Sequence, residues 1–193
     1  MTPSLTLRPA TPADADDLAE LINFAGDGLP LYLWQRMAEA GETAWDVGRR
    51  RASRDEGSFS WRNAVMAEID GRVAACLVGY PLADRPEPVD YDTMPAMFVP
   101  LQELENQAAG TWYVNVVAAF PQFRGLGIGT GLLTEAERLA RVTARSGLSL
   151  IVSDSNAGAR RLYERCGYVE RARRPMVKDA WVNAGDNWVL LVK

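Results

Sequence analysis

The sequence contains no histidine, two cysteines and, among its basic residues, only Lys178 and Lys193 as lysine. Without an imidazole there is no histidine base, metal ligand or nucleophile partner, which excludes Ser-His-Asp and Cys-His chemistry. Cys76 and Cys166 lie far apart with no cluster of metal-ligating residue types around them. They are therefore expected to be free thiols, and no metal is expected. No apolar run approaches the roughly 18 residues of a membrane span, and the start of the chain lacks a basic and then apolar leader. A cytoplasmic protein that engages no membrane is the expectation. The net charge of −4 provides no basic footprint, so no nucleic acid is expected either.

What remains is an ordinary globular composition, with 48% hydrophobic and 24% charged residues in 193 positions. That length supports a single domain over residues 1–193. Leu5-Thr6-Leu7-Arg8 alternates as a short strand, and Thr11-Pro12-Ala13-Asp14 opens a helix with Thr11 as its cap. Gly26-Asp27-Gly28 breaks that helix, Leu31 to Glu39 reads as a second, and Thr43 to Ser53 as a third. Asn63 to Glu68 and Arg72 to Tyr80 form a hairpin turned at Asp70-Gly71. The proline-rich, acidic segment 81–107 reads as a surface loop followed by a short helix from Leu101 to Ala108. Trp112 to Ala119 is an apolar strand interrupted only by Asn115, and a helix from about Ile128 is expected to run to Gly147. Leu148 to Val152 is a strand, Asn156 caps a helix stopped by Gly167, and two strands follow near Tyr168 to Met176 and Trp188 to Val192. The order predicts an α/β sandwich on a mixed sheet with at least one parallel crossover.

The chemistry centres on Arg124-Gly125-Leu126-Gly127-Ile128-Gly129-Thr130-Gly131, between the apolar strand and the helix. Glycines at a helix entrance let a ligand approach the backbone. The first turn offers free N–H groups and the positive end of the dipole to a phosphate. A P-loop is excluded because the region has no lysine, and the Rossmann spacing fails at Thr130 or Leu132, depending on the frame. Arg124, Gly127 and Gly129 do fit R-x-x-G-x-G. Further on, Val152, Asn156, Ala159, Leu162, Tyr163, Gly167 and Tyr168 fit V-x-x-x-N-x-x-A-x-x-L-Y-x-x-x-G-Y. With these two motifs in this order the chain resembles the GNAT superfamily of acyl-CoA-dependent N-acyltransferases. Residues before about 100 resemble that family in element order only.

The resemblance implies a GNAT-type mixed sheet of about seven strands, flanked by helices on both faces, with splayed central parallel strands. It places the acyl-CoA-binding core at 110–170 and the acceptor-side helices at 20–60, where Phe24 to Trp34 include Gly26, Asp27, Gly28, Tyr32 and Trp34. It implies acetyl-CoA as co-substrate and direct attack on its thioester by a primary amine in a ternary complex. A non-catalytic acyl-CoA-binding sensor is the alternative. Carried over by position, backbone groups of Val117 and Ala119 meet the pantetheine arm. Arg124, Gly125, Leu126, Gly127, Ile128, Gly129 and Thr130 take the pyrophosphate. Tyr163 stands where the general acid belongs, although it also reads as a core aromatic. Asn156 is a helix cap or a cofactor ligand, and Asn115 orients the amine or is a satisfied core amide. No base is assigned: Asp154, Glu103 and Glu105 are the candidates, and each also reads as an exposed loop charge. The amine's identity, the role of the 81–107 segment and homodimerisation stay open.

Overall fold

Alternating Leu5–Pro9 forms β1, antiparallel to β2 (Ala64–Ile69), in the computed structural model, which describes residues 5–193. Between them run helices α1 (Ala15–Ala25), α2 (Leu29–Met37) and α3 (Ala44–Ser53). The chain continues through β3 (Arg72–Pro81), α4 (Val99–Asn106) and β4 (Trp112–Ala119) to α5 (Ile128–Val142). It closes with β5 (Leu148–Ser153), α6 (Ala157–Arg165), β6 (Val169–Pro175) and β7 (Asn187–Val192).

Two compact units result. The first takes the chain up to Gly79 together with Asn115–Leu133; the second takes Tyr80–Val114 and Thr134–Lys193. β4 therefore begins in the second and ends in the first, and α5 does the reverse. The described strands number seven, in the order β1-β2-β3-β4-β5-β7-β6. β1 to β3 are antiparallel and so are β5, β7 and β6, while β4 and β5 are parallel, which makes the sheet mixed as expected. The parallel ladder has two rungs, Trp112↔Leu148 and Tyr113↔Ser149, in strands of eight and six residues. A short ladder is what a splayed pair leaves.

In the first unit, α1, α2 and α3 pack on one another, and Leu18, Leu21, Ile22, Trp34 and Val47 join Met66, Cys76 and Val116 in one core. Asp70 (φ 49°) and Gly71 (φ 76°) make the hairpin turn that the Asp-Gly step predicts. The helix after β1 is entered through a 3-10 turn, Pro12–Asp14. There the Asp14 carboxylate accepts from the Thr11 amide at 2.7 Å and meets the Arg8 guanidinium at 2.7 Å. Its pKa is held below the usual carboxylate range, chiefly by the Arg8 hydrogen bond. α2 starts at Leu29, two residues before the expected Leu31, because Gly28 takes a left-handed conformation (φ 82°) and Pro30 suits the first turn.

In the second unit, α4 packs on β5, β6 and β7, with Leu104 and Leu190 in its core. The expected end of α5 at Gly147 is wrong by five residues. Ala144 adopts φ 54°, and the Arg145 amide reaches back to the Ala140 carbonyl at 2.9 Å. That is the six-to-one closure of a helix C-terminus, achieved here without glycine. Gly147 has another reason to lack a side chain: a Cβ there would lie 2.4 Å from the Lys193 carbonyl oxygen. That backbone cannot retreat, because Lys193 and Leu148 exchange hydrogen bonds at 2.8 and 2.9 Å. Gly147→Ala should therefore cost about 1–3 kcal/mol as an overpacking substitution. Thermal denaturation should read it as a lowered Tm.

Candidate active site

Along the end of β4, Val116 and Ala118 enter the core of the first unit, so Asn115, Val117 and Ala119 share the opposite, half-buried face. Asn115 makes no side-chain hydrogen bond among the described residues, so it is not the satisfied core amide of the plainer expectation. After Ala119 comes a 3-10 turn, Pro121–Phe123, and then the glycine loop. Gly125 and Gly127 both take φ 79°, a conformation that costs a residue with a Cβ about 1–2 kcal/mol. Added Cβ atoms at either would meet nothing within 4 Å, so the glycines serve backbone shape and open approach, not packing. The amides of Thr130 and Gly131 turn back to the Gly127 carbonyl at 3.1 and 3.3 Å. Those of Gly125, Leu126, Gly127, Ile128 and Gly129 donate to no acceptor among the described residues. A run of uncommitted N–H groups at the start of a 15-residue helix is a cradle for phosphate oxygens.

Arg124 is exposed and anchored: its Nε donates to the Ala119 carbonyl at 3.1 Å, and its guanidinium lies 5.8 Å from the Phe24 ring centroid. Phe24 in turn meets Phe120 edge to face at 6.2 Å. The loop's cation is thereby tied to the end of β4 and to α1. Of the expected acceptor-side residues, Phe24 and Asp27 are exposed and Tyr32 is half-buried beneath the Arg36 guanidinium. Trp34 is different. It is 2% exposed, meets Trp45 at 6.0 Å, and occupies the space a Cβ on Gly48 would need. It is a core residue, because it falls on the α2 face that packs on α3.

The second unit holds the remaining expected residues. Asn156 caps α6, its Oδ1 accepting from the Ala159 amide at 3.1 Å. Tyr163 projects from α6 into a buried position, and its ring lies 5.9 Å from that of Tyr168. Burial pushes the Tyr163 phenol up to about 12. Neither hydroxyl has a hydrogen-bond partner among the described residues, but they differ: that of Tyr168 is enclosed, whereas that of Tyr163 is not. An open, unspent donor suits chemistry; an enclosed, unspent one is a cost. Tyr168→Phe should leave stability unchanged or raised, as calorimetry of the variant would show.

Sequence spacing left three carboxylates as base candidates, and the structure separates them. For Asp154, burial would raise the pKa, but hydrogen bonds from the Asn187 side chain (2.9 Å) and the Asn187 and Asp186 amides (3.1 and 3.0 Å) outweigh it, and the net shift is downward. Asp154 therefore holds the turn before β7. Glu103 is paired with Arg174 at 2.6 Å and accepts from the Tyr91 hydroxyl at 3.2 Å. The Glu105 carboxylate has neither an ion pair nor a hydrogen bond among the described residues. Tyr113 was not singled out in the sequence. Its parity on β4 with Asn115, Val117 and Ala119 is the signal that was available. It is buried, lies 5.7 Å from the Tyr80 ring, and has its phenol raised by burial first and then by Glu105, Tyr80 and Tyr163. Cys76 is a free, buried thiol pushed up by burial, and Cys166 is free and half-buried. No helix among the described residues is long and apolar enough to cross a membrane.

The sequence model of the acetyltransferase (GNAT) family matches residues 31–168. Among solved structures, an N-acetyltransferase from Staphylococcus aureus Mu50 shares 19% identity over 97% of this chain and 100% of its own, with a TM-score of 0.67. A GNAT family acetyltransferase from Elizabethkingia anophelis, solved with acetyl-CoA bound, shares 18% over 97% and 96%, with a TM-score of 0.60. Mosquito arylalkylamine N-acetyltransferase like 5b shares 15% over 98% and 99%, with a TM-score of 0.67. At these identities the likeness is one of fold. No protein of curated function matches the sequence.

Proposed function

From the premise that the chain belongs to the acetyltransferase (GNAT) family, we propose that it moves an acetyl group from acetyl-CoA to a primary amine, which attacks the thioester directly. The observation that carries this reading is the row of uncommitted amides from Gly125 to Gly129, shaped by two left-handed glycines at the N-terminus of α5. In the proposal these amides, with Thr130 and the anchored Arg124, receive the pyrophosphate. Backbone groups of Val117 and Ala119 receive the pantetheine arm and meet the charge that develops on the carbonyl oxygen. Asn115, on the same face of β4, orients the amine. Asn156 contributes its amide Nδ2 to the pantetheine, since its Oδ1 is spent on the helix cap. Tyr163 returns a proton to the departing thiolate.

Isothermal titration of acetyl-CoA and CoA into the protein tests the reading, followed by a thiol-release assay with a panel of primary amines. Micromolar binding with amine-dependent thiol release is the expected result. Binding without transfer to any amine would identify a sensor, and absence of binding would leave the glycines as turn chemistry.

A further inference from the structure

We propose that Phe24 is a positioning residue for the cofactor: its ring holds the Arg124 guanidinium ready for the pyrophosphate. This rests on the acyltransferase reading and deepens it. Phe24, expected among the acceptor-side residues, thereby belongs to the cofactor side. Every residue involved lies in the first unit.

Arg124 is fixed differently from surface counterparts such as Arg62 and Arg138, which are paired with Asp55 and Glu135 at 2.7 Å each. A carboxylate partner holds a guanidinium in place but cancels its charge and competes with any incoming phosphate. Arg124 has no ion pair among the described residues. Its two described side-chain contacts are both neutral. The Ala119 carbonyl accepts from Nε at 3.1 Å, and the Phe24 ring centroid lies 5.8 Å from the guanidinium carbon. The face of an aromatic ring is electronegative, so it attracts a cation without neutralising it. With Nε spent on Ala119, the N–H groups of both terminal nitrogens remain uncommitted among the described residues. That planar edge is what a phosphate takes with two parallel hydrogen bonds.

The ring is itself held. Phe24 is the penultimate residue of α1 and meets Phe120 edge to face, with centroids 6.2 Å apart and planes at 86°. Phe120 packs against the core of the first unit, and its amide donates to the Ala74 carbonyl on β3 at 2.9 Å. At the other end of the turn that leads to Arg124, the Arg72 guanidinium lies 5.9 Å from the Phe123 ring centroid. The backbone delivering Arg124 is thus fixed on both sides of the turn, and Phe24 fixes the side chain. Phe24 nevertheless stays exposed, whereas Leu18, Leu21 and Ile22 on the same helix are fully buried. Its surface is not spent on the core.

The benefit is entropic. A free arginine side chain loses rotamer freedom when a ligand fixes it, and that loss subtracts from affinity. Here the loss is taken on folding, through contacts that leave the charge available. Phe24 therefore acts through Arg124 on the affinity for acyl-CoA and takes no part in the chemical step. A mere packing role differs in one respect. Leucine would cover the aliphatic stem of Arg124 about as well as phenylalanine does, but it has no electronegative face.

The test is a double-mutant cycle read by isothermal titration of acetyl-CoA. It compares wild type, Phe24→Leu, Arg124→Gln and the double variant, with Phe24→Tyr as the conservative rescue. Arg124→Gln should weaken binding by about tenfold or more, as loss of hydrogen bonds from a charged group does. Phe24→Leu should weaken it about two- to fivefold, the range of an exposed cation–π contact. Phe24→Tyr should bind as wild type does, and the double variant no more weakly than Arg124→Gln alone. In the ligand-free protein, the Arg124 Nε–H resonance should report an ordered side chain in wild type and Phe24→Tyr, and a mobile one in Phe24→Leu. Tm should stay near the wild-type value throughout, because both side chains are exposed.

Phe24→Leu with undiminished affinity overturns the positioning role and leaves the acyltransferase reading intact. So does a loss of the same factor in the Arg124→Gln background, or an Arg124 resonance as mobile in wild type as in Phe24→Leu. Wild-type protein that binds no acetyl-CoA overturns the acyltransferase reading and the role of Phe24 with it.

Discussion

Gly127→Glu should abolish acetyl-CoA binding while leaving a folded protein, a loss of at least about a hundredfold in Kd by isothermal titration. Three effects act together. Gly127 sits at φ 79°, so any side chain there is strained by about 1–2 kcal/mol, and relief of that strain turns the neighbouring amides away from a common focus. The new carboxylate then stands among N–H groups that make no other hydrogen bonds among the described residues, and competes for them. Finally, it repels the pyrophosphate. Two unit charges about 4 Å apart near a protein surface interact by about 4 kcal/mol, and each 1.4 kcal/mol is tenfold in affinity. Because an added Cβ meets nothing within 4 Å, no core contact is lost and Tm should fall only by the backbone strain. Gly127→Ala keeps the strain without the charge and should show an intermediate loss. Undiminished binding by Gly127→Glu would place the pyrophosphate elsewhere.

That loop was legible in the sequence because its signal is local. A strand, a run of glycines and an amphipathic helix follow one another without a break, and left-handed glycines at a helix entrance require no tertiary knowledge. Asn156 as cap and Gly167 (φ 88°) as stop are local in the same sense. Where the sequence misled, a distant partner decided. Gly147 looks like a helix terminator, yet it is glycine because the Lys193 carbonyl, 46 positions away, occupies its Cβ space. Trp34 resembles a pocket residue until α3 supplies Gly48 to receive its ring. The separation of Asp154, Glu103 and Glu105 lay furthest out of reach. It depends on partners far away in sequence: Arg174 on β6 holds Glu103, and Asn187 at the start of β7 holds Asp154.

Tyr163→Phe should lower kcat by about 10²–10⁴-fold with acetyl-CoA affinity unchanged, the range typical of a lost general acid. The phenol is raised to about 12, so it stays protonated throughout the neutral range and adds no inflection of its own between pH 5 and 9. The variant should therefore lose rate by a similar factor across that range. A phenol at about 12 is a reluctant donor to a thiol of ordinary pKa about 8.5. Donation has to accompany C–S cleavage, when negative charge on a desolvated sulfur is most costly. The deficit should therefore depend on the leaving group. With an acetyl thioester of a more acidic thiol, whose thiolate leaves unaided, Tyr163→Phe should recover most of the lost rate. Tyr168→Phe, one ring away at 5.9 Å, should be indistinguishable from wild type with either donor. Equal deficits with both thioesters would assign Tyr163 to positioning of the pantetheine instead of proton donation, and full activity of Tyr163→Phe would leave it a packing partner of Tyr168.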